Sequence, residues 1–228
     1  MIELLVDDDL VAVAKPAGVT VIPGRDQPAS ACLRAELEAA RGEPLWVVHR
    51  LDKDTSGVVV FARTAEAHRA LSMAFEQRRV EKRYLAWVGG ALPGEGRITA
   101  PMVPGRKGAM RIARPEDRGQ LAADTSYVAV RRWRRGAATA ARVELRPKTG
   151  RQHQLRVHLA SVGAPIWFDP LYGAEDPADA PMARLALHAH RLTVPSPRGP
   201  WRTIEAPLPA DLAALDAWLD AAWTVDES

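Results

Sequence analysis

A polar segment, His49-Arg50-Leu51-Asp52-Lys53-Asp54-Thr55-Ser56-Gly57, lies between two apolar runs of strand length and constrains the fold more than any other part of the chain. Leu45 to Val48 upstream is apolar and rich in β-branched residues, and Gly57 to Ala62 downstream is a second run of the same kind, so the spacing predicts two strands with Asp52 where they exchange direction. Thr55-Ser56-Gly57 reads as the turn. A carboxylate between Arg50 and Lys53 is favoured in its charged form and suits a nucleophile or a base at neutral pH. The competing reading is an Asp that only caps the turn.

The rest of the chain reads as an α+β mixture without repeats. Leu10 to Lys15 is a short strand closed by Pro16-Ala17-Gly18, and Ala29 to Ala40 has helical composition up to Gly42. Thr64 to Arg79 is the clearest helix, with Ala67, Leu71, Ala74 and Phe75 on one face and Thr64 as N-cap. Glu81 to Val88 follows as a strand. Ser126 to Trp133 and Thr139 to Leu145 alternate well enough to pair as a hairpin across Arg134-Arg135-Gly136. A helix is expected over residues 151–161, and an amphipathic helix from Leu208 to Trp223 ends the fold. Residues 93–123, rich in Pro, Gly and Arg, read as one long basic loop.

With 228 residues, 47% of them hydrophobic, the chain can bury a core as one large domain or two closely joined lobes. No apolar run is long enough to cross a bilayer and the N-terminus is acidic, so the expected location is cytoplasmic. Cys32 has no second cysteine to pair with and reads as a buried, inert thiol. A net charge of +3 conceals an asymmetry: residues 78–156 hold 19 Arg and Lys against 6 Asp and Glu, a balance of +13, while the flanks balance at −4 and −6. That middle segment is the electrostatic footprint of a polyanion partner. Pro104-Gly105-Arg106-Lys107-Gly108 lacks the spacing of a nucleoside triphosphate loop, and Arg106 and Lys107 read either as contacts for an RNA backbone or as part of a plain solvated turn. None of the six His falls in a metal-ligand spacing, and neither a dinucleotide fingerprint nor a hydrolase elbow occurs, so neither a metal nor a cofactor is expected.

Arg50-Leu51-Asp52 with Thr55-Ser56-Gly57 resembles the signature of the RluA-type family of RNA pseudouridine synthases, in which the Asp is catalytic. Lys15-Pro16-Ala17-Gly18 is similar to the family's first block, Lys82-Arg83-Tyr84 to its Lys-x-Tyr, Thr149 to His158 to its long C-terminal motif, and Leu187-His188-Ala189 to its last. Five blocks in order over most of the chain are far more specific than any one of them. The resemblance implies the pseudouridine synthase fold: a single catalytic domain over residues 1–228, with its core at about 10–206. In it a mixed, mostly antiparallel central sheet is flanked by helices and loops, and the active site lies in a basic cleft. It also implies isomerisation of uridine in ribosomal RNA, transfer RNA or both, without a cofactor, and nothing in the sequence demands more than a monomer.

Residue by residue, the resemblance makes Asp52 the catalytic carboxylate, which attacks the sugar, adds to the base or abstracts a proton. Arg50 enters the stack vacated by the flipped uridine. Tyr84 stacks on the uracil, with its hydroxyl a candidate in removing the C5 proton, and Arg156 pairs with Asp52 and keeps it ionised. Leu155 is either a pocket wall or core. Lys148 and Arg151 suit phosphate contact near a helix start. Two departures are local: Ala14 stands where Asn is common, and Phe168 in Trp167-Phe168-Asp169 replaces the usual glycine. The chain begins almost at the catalytic domain, which leaves no room for the S4-type domain of many relatives. Two rivals remain, a non-catalytic RNA-binding module and a nucleosidase with Asp54 as second carboxylate.

Overall fold

The computed structural model describes residues 2–24, 28–173, 176–196 and 199–226, which divide into two compact units. The first comprises Met1–Lys82 and Ala189–Pro207, the second Arg83–His188 and Leu208–Ser228.

The first unit opens with β1 (Ile2–Val6) and β2 (Leu10–Lys15), an antiparallel hairpin. Helix α1 (Leu33–Arg41), β3 (Trp46–Val47), β4 (Ser56–Ala62) and α2 (Ala65–Glu76) follow. β2 and β3 both pair antiparallel with β4. Every residue of β4 is buried, which explains why its sequence is a continuous apolar run rather than an alternation: both faces of the sheet are covered. One face carries Leu10, Ala12, Val58 and Val60 against Ala67, Leu71 and Ala74 of α2.

Both helices are shorter than their composition suggests, for local reasons. Ala31 N–H bonds to Pro28 in a turn, so α1 starts only after Cys32, which is buried at its N-cap. It ends at Gly42, whose φ of 67° is the left-handed conformation of a helix stop. Thr64 caps α2 as expected, accepting from Ala67 N–H at 3.1 Å. The helix stops at Glu76 because Arg78 takes φ 57° and Arg79 N–H reaches back to Ala74.

The second unit is built on β5 (Glu81–Gly89), β6 (Glu95–Ile98), β7 (Met102–Pro104), β8 (Met110–Ile112), β9 (Thr125–Arg135) and β10 (Ala138–Pro147), then α3 (Gln154–Ser161). β11 (Leu187–Val194) returns the chain to the first unit, where β12 (Arg202–Glu205) pairs with it. α4 (Ala210–Ala222) and β13 (Thr224–Val225) close the second. Its sheet runs β5-β10-β9-β13, with β6 also on β9, each pairing antiparallel. The β9–β10 hairpin turns beyond Arg135, two residues past the expected strand end at Trp133, with Gly136 at φ 62°. α4 buries Leu212, Leu215 and Leu219, and is clipped to the sheet by indole bonds, Trp87 to Asp216 at 2.7 Å and Trp133 to Asp220 at 2.8 Å.

Residues 93–123 correct the sequence reading. They are not one loop: β6 joins the sheet, and β7 and β8 form a small hairpin whose Met102 and Met110 pack on Ala123 and on Val157 of α3. The strands are too short, and the Pro and Gly between them too frequent, for a periodic signal to build up.

Candidate active site

Asp52 lies in the connection between β3 and β4, as its flanking runs require. The turn itself is not Thr55-Ser56-Gly57. It is Asp52 to Thr55, closed by Thr55 N–H on the Asp52 carbonyl at 3.2 Å, and Ser56 and Gly57 already belong to β4. Gly57 is demanded instead by the strand. Its φ is +126°, and a Cβ there would fall 2.6 Å from the carbonyl carbon and amide nitrogen of Ala189.

The Lys-Pro-x-Gly block holds this turn. Lys15 is 1% exposed, and its ammonium donates to the carbonyls of Pro16 at 2.9 Å, Val19 at 2.7 Å and Lys53 at 2.8 Å. Gly18 N–H donates to the same Lys53 carbonyl at 2.9 Å. The residue next to Asp52 is therefore tied down by one buried cation and one backbone amide. Lys15→Met keeps the length of the side chain but leaves three carbonyls short of a charged donor, and is expected to lower stability by about 3 kcal/mol. Urea denaturation checks this; an unchanged midpoint would contradict it.

On the other arm of the turn, His49 Nε2 accepts from Val60 N–H at 3.0 Å while its ring stacks on Phe75, centroids 4.6 Å apart. Burial, with a smaller contribution from the charge of Lys82, pushes its pKa down to about 3. It is a neutral structural residue at working pH, not a proton shuttle. Arg50 is exposed and Asp52 half-buried.

Tyr84 and Arg156 belong to the second unit. Tyr84, half-buried on β5 opposite Leu145, points by alternation to the face away from Trp87 and α4. Arg156 is buried on α3 and makes a two-pronged bond with Asp169, Nε to Oδ2 at 2.7 Å and Nη2 to Oδ1 at 2.6 Å. The expected partner was Asp52; within the second unit the partner is Asp169. Leu155 packs in the core beside Trp167 and Leu159.

The Thr149 to His158 motif is explained by one buried glutamine. Gln154 Oε1 accepts from the Thr149 hydroxyl at 2.7 Å and from Arg151 N–H at 3.0 Å, and Nε2 donates to Asp124 O at 3.0 Å and Thr125 Oγ1 at 2.9 Å. All four of its bonding positions are used. His158 is buried between Thr125 and the Ala100 carbonyl, and burial lowers its pKa. α3 begins at Gln154, not at Arg151, because His153 takes a left-handed φ of 53°.

The +13 segment carries less free charge than its count implies. Among its arginines, Arg97 is paired with Asp124, Arg111 with Asp117, Arg131 with Asp220, Arg135 with Asp179, Arg142 with Asp216 and Arg156 with Asp169. Arg106 and Lys107 are exposed at the tip of the β7–β8 hairpin, with Lys107 at φ 51°, and Lys148 is exposed ahead of α3. Arg151, half-exposed there, donates to Ala122 O at 3.1 Å. The hairpin is tied to this helix start by Gln152 Nε2 donating to Gly108 O at 3.2 Å.

The family described as RNA pseudouridylate synthase matches residues 9–161, a span that begins just before β2 and ends with α3. The chain belongs to this family. It is 39% identical to ribosomal large subunit pseudouridine synthase D of Nitrosomonas europaea over 93% of its own length and 63% of that protein. It thus spans less than two thirds of that relative. To the dual-specificity RNA pseudouridine synthase RluA of Escherichia coli K12 it is 37% identical, covering 91% of this chain and 93% of that one. The solved structure of human RNA pseudouridylate synthase domain containing 1 superposes with a TM-score of 0.79 at 25% identity, over 98% of this chain and 88% of the other. The fold is the pseudouridine synthase fold.

Among the described residues no group of His, Cys, Asp or Glu is placed to hold a metal ion, and no helix is long and apolar enough to cross a membrane. Phe168, the departure from the family turn, adopts φ 58°, a left-handed conformation that glycine favours. Sequence reasoning missed the buried Lys15 clamp, and missed Asp169 and Tyr172 as the surroundings of Arg156. The spacing Asp169-Pro-Leu-Tyr172 carries a turn signal, but nothing local points from it to Arg156.

Proposed function

We propose that this protein isomerises uridines in structured RNA, ribosomal RNA or transfer RNA or both, to pseudouridine, with Asp52 as the catalytic carboxylate. The observation that carries the reading is the β-turn that presents Asp52, fixed from beneath by Lys15 and Gly18, in a chain that belongs to this family. The N1–C1′ bond breaks, the uracil turns and a C5–C1′ bond forms, while C5 loses a proton and N1 gains one. Atoms and electrons balance within one nucleotide, so the reaction needs no redox partner. The substrate base must leave the stack, at about a few kcal/mol, and exposed Arg50, two residues from Asp52, fills the gap. Tyr84 stacks on the uracil, and Arg156 supports the charged form of the catalytic carboxylate. A single copy of the chain suffices.

RNA contact is assigned to Arg106, Lys107, Lys148 and Arg151, whereas Arg111 is held by Asp117 at 2.6 Å through both nitrogens and contributes little. Replacing Arg106 and Lys107 by Ala should weaken RNA binding and shallow its salt dependence, by roughly 0.7 in the logarithmic slope per lost phosphate contact, without changing the product. Titrations at several salt concentrations measure this, and an unchanged slope would place the RNA track elsewhere. The reading as a whole is tested by mapping pseudouridines in ribosomal and transfer RNA from cells with and without the protein. Loss of one or more sites on deletion, restored by wild type but not by Asp52→Asn, is the expected result, and identical maps would contradict it.

A further inference from the structure

The guanidinium of Arg156 is held by two side chains. Asp169 takes it through two bonds, and the Tyr172 ring lies under it, 5.0 Å from centroid to Cζ. Asp169 is itself fixed, since its Oδ1 accepts the backbone N–H groups of Leu171 at 2.9 Å and Tyr172 at 3.1 Å. The Tyr172 hydroxyl accepts from Met110 N–H of β8 at 2.7 Å and meets His153 Nδ1 at 2.9 Å, at the left-handed residue that opens α3. The short segment Asp169 to Tyr172 therefore links the hairpin that carries Arg106 and Lys107 to the buried arginine.

We infer that Tyr172 and Asp169 are positioning residues that present Arg156 for the reaction, and that Tyr172 ties this presentation to the RNA-facing hairpin. The inference rests on the proposed role of Arg156. Asp169 fixes the plane of the guanidinium through a two-pronged bond, and the aromatic face fixes its height, so Arg156 reaches the reacting groups without a search through rotamers. Tyr172 touches no reacting atom; it acts through Arg156.

The test compares Tyr172→Leu, Tyr172→Phe, Arg156→Lys and the Leu–Lys double variant in single-turnover assays with saturating RNA. Tyr172→Leu should lower the rate constant about tenfold with the RNA Kd within twofold, and Tyr172→Phe, which keeps the ring, should restore most of it. In the Arg156→Lys background the Leu substitution should cost less than twofold, because the group it positions is gone. The nitrogen-15 signal of Arg156 Nε–H, assigned by its loss in Arg156→Lys, should be protected from exchange in wild type and in Tyr172→Phe, and lose protection in Tyr172→Leu. Should the Leu variant not fold, Tyr172→Met takes its place. A wild-type rate in Tyr172→Leu, an untouched Arg156 signal, or losses that simply add in the double variant would overturn the inference while wild-type activity stands. No pseudouridine from the wild-type protein would overturn the function and this inference together.

Discussion

Asp52→Asn is expected to reduce pseudouridine formation by about 10⁴-fold or more, equivalent to over 5 kcal/mol of transition-state stabilisation, while the protein stays folded. The amide has the shape of the carboxylate and lacks the charge and basicity that each of the three routes open to Asp52 needs. Folding should be spared because the amide keeps the shape of the side chain, and the turn at Asp52 is closed by backbone atoms and pinned by Lys15 and Gly18 on Lys53. The melting temperature should move by no more than about 2 °C, less than 1 kcal/mol in a chain of this size, and RNA affinity by less than twofold. Single-turnover kinetics with a thermal melt decide the matter: appreciable turnover by a pure Asp52→Asn preparation removes the carboxylate from the chemistry. Asp54→Asn should remain active, and a dead but folded variant would favour the two-carboxylate nucleosidase.

Gly57→Ala should be the most damaging small substitution in the first unit. At φ +126° an L-residue is strained whatever the space around it, and here the new methyl would also meet the backbone of Ala189, 2.6 Å from its carbonyl carbon and closer still to its oxygen. β4 cannot yield locally, since it is buried along its whole length. A loss of about 4 kcal/mol or more is expected, a fall in melting temperature of roughly 10 °C, or failure to fold. Gly42→Ala is the matched control, at φ +67° with nothing within 4 Å, and should cost only about 1–2 kcal/mol. Equal losses for the two would show that conformation alone, not the approach of Ala189, fixes the glycine.

What the sequence revealed depended on whether the controlling interactions were local. β2 lies at Leu10–Lys15 as its pattern predicts, β4 falls within a residue of the expected run, and Thr64 caps α2, because strand burial and helix capping are written in neighbouring residues. The same holds for the family motif around Asp52, which needs no distant partner to be recognised. Helix ends were misjudged where a non-glycine residue takes a left-handed conformation, at Arg78 and His153, since nothing in those side chains announces it. The β7–β8 hairpin was hidden because its strands are three residues long and are held by Ala123, Val157 and Tyr172 from other parts of the chain. Arg156 was picked out by its motif, yet its bond to Asp169 depends on where a later loop comes to rest. Counting charges overestimated the free positive charge of residues 78–156 for a similar reason, as the aspartates that neutralise Arg131, Arg135, Arg142 and Arg156 lie outside the counted segment.

The most direct test of the central claim is to incubate the purified wild-type protein with ribosomal and transfer RNA transcripts carrying tritium at C5 of uridine, and to analyse both the released label and the digested RNA. Isomerisation predicts tritium released to water in step with pseudouridine appearing in the digest, one for one, with the chain intact and no free uracil. Release of uracil, or no tritium released from either RNA, would contradict it.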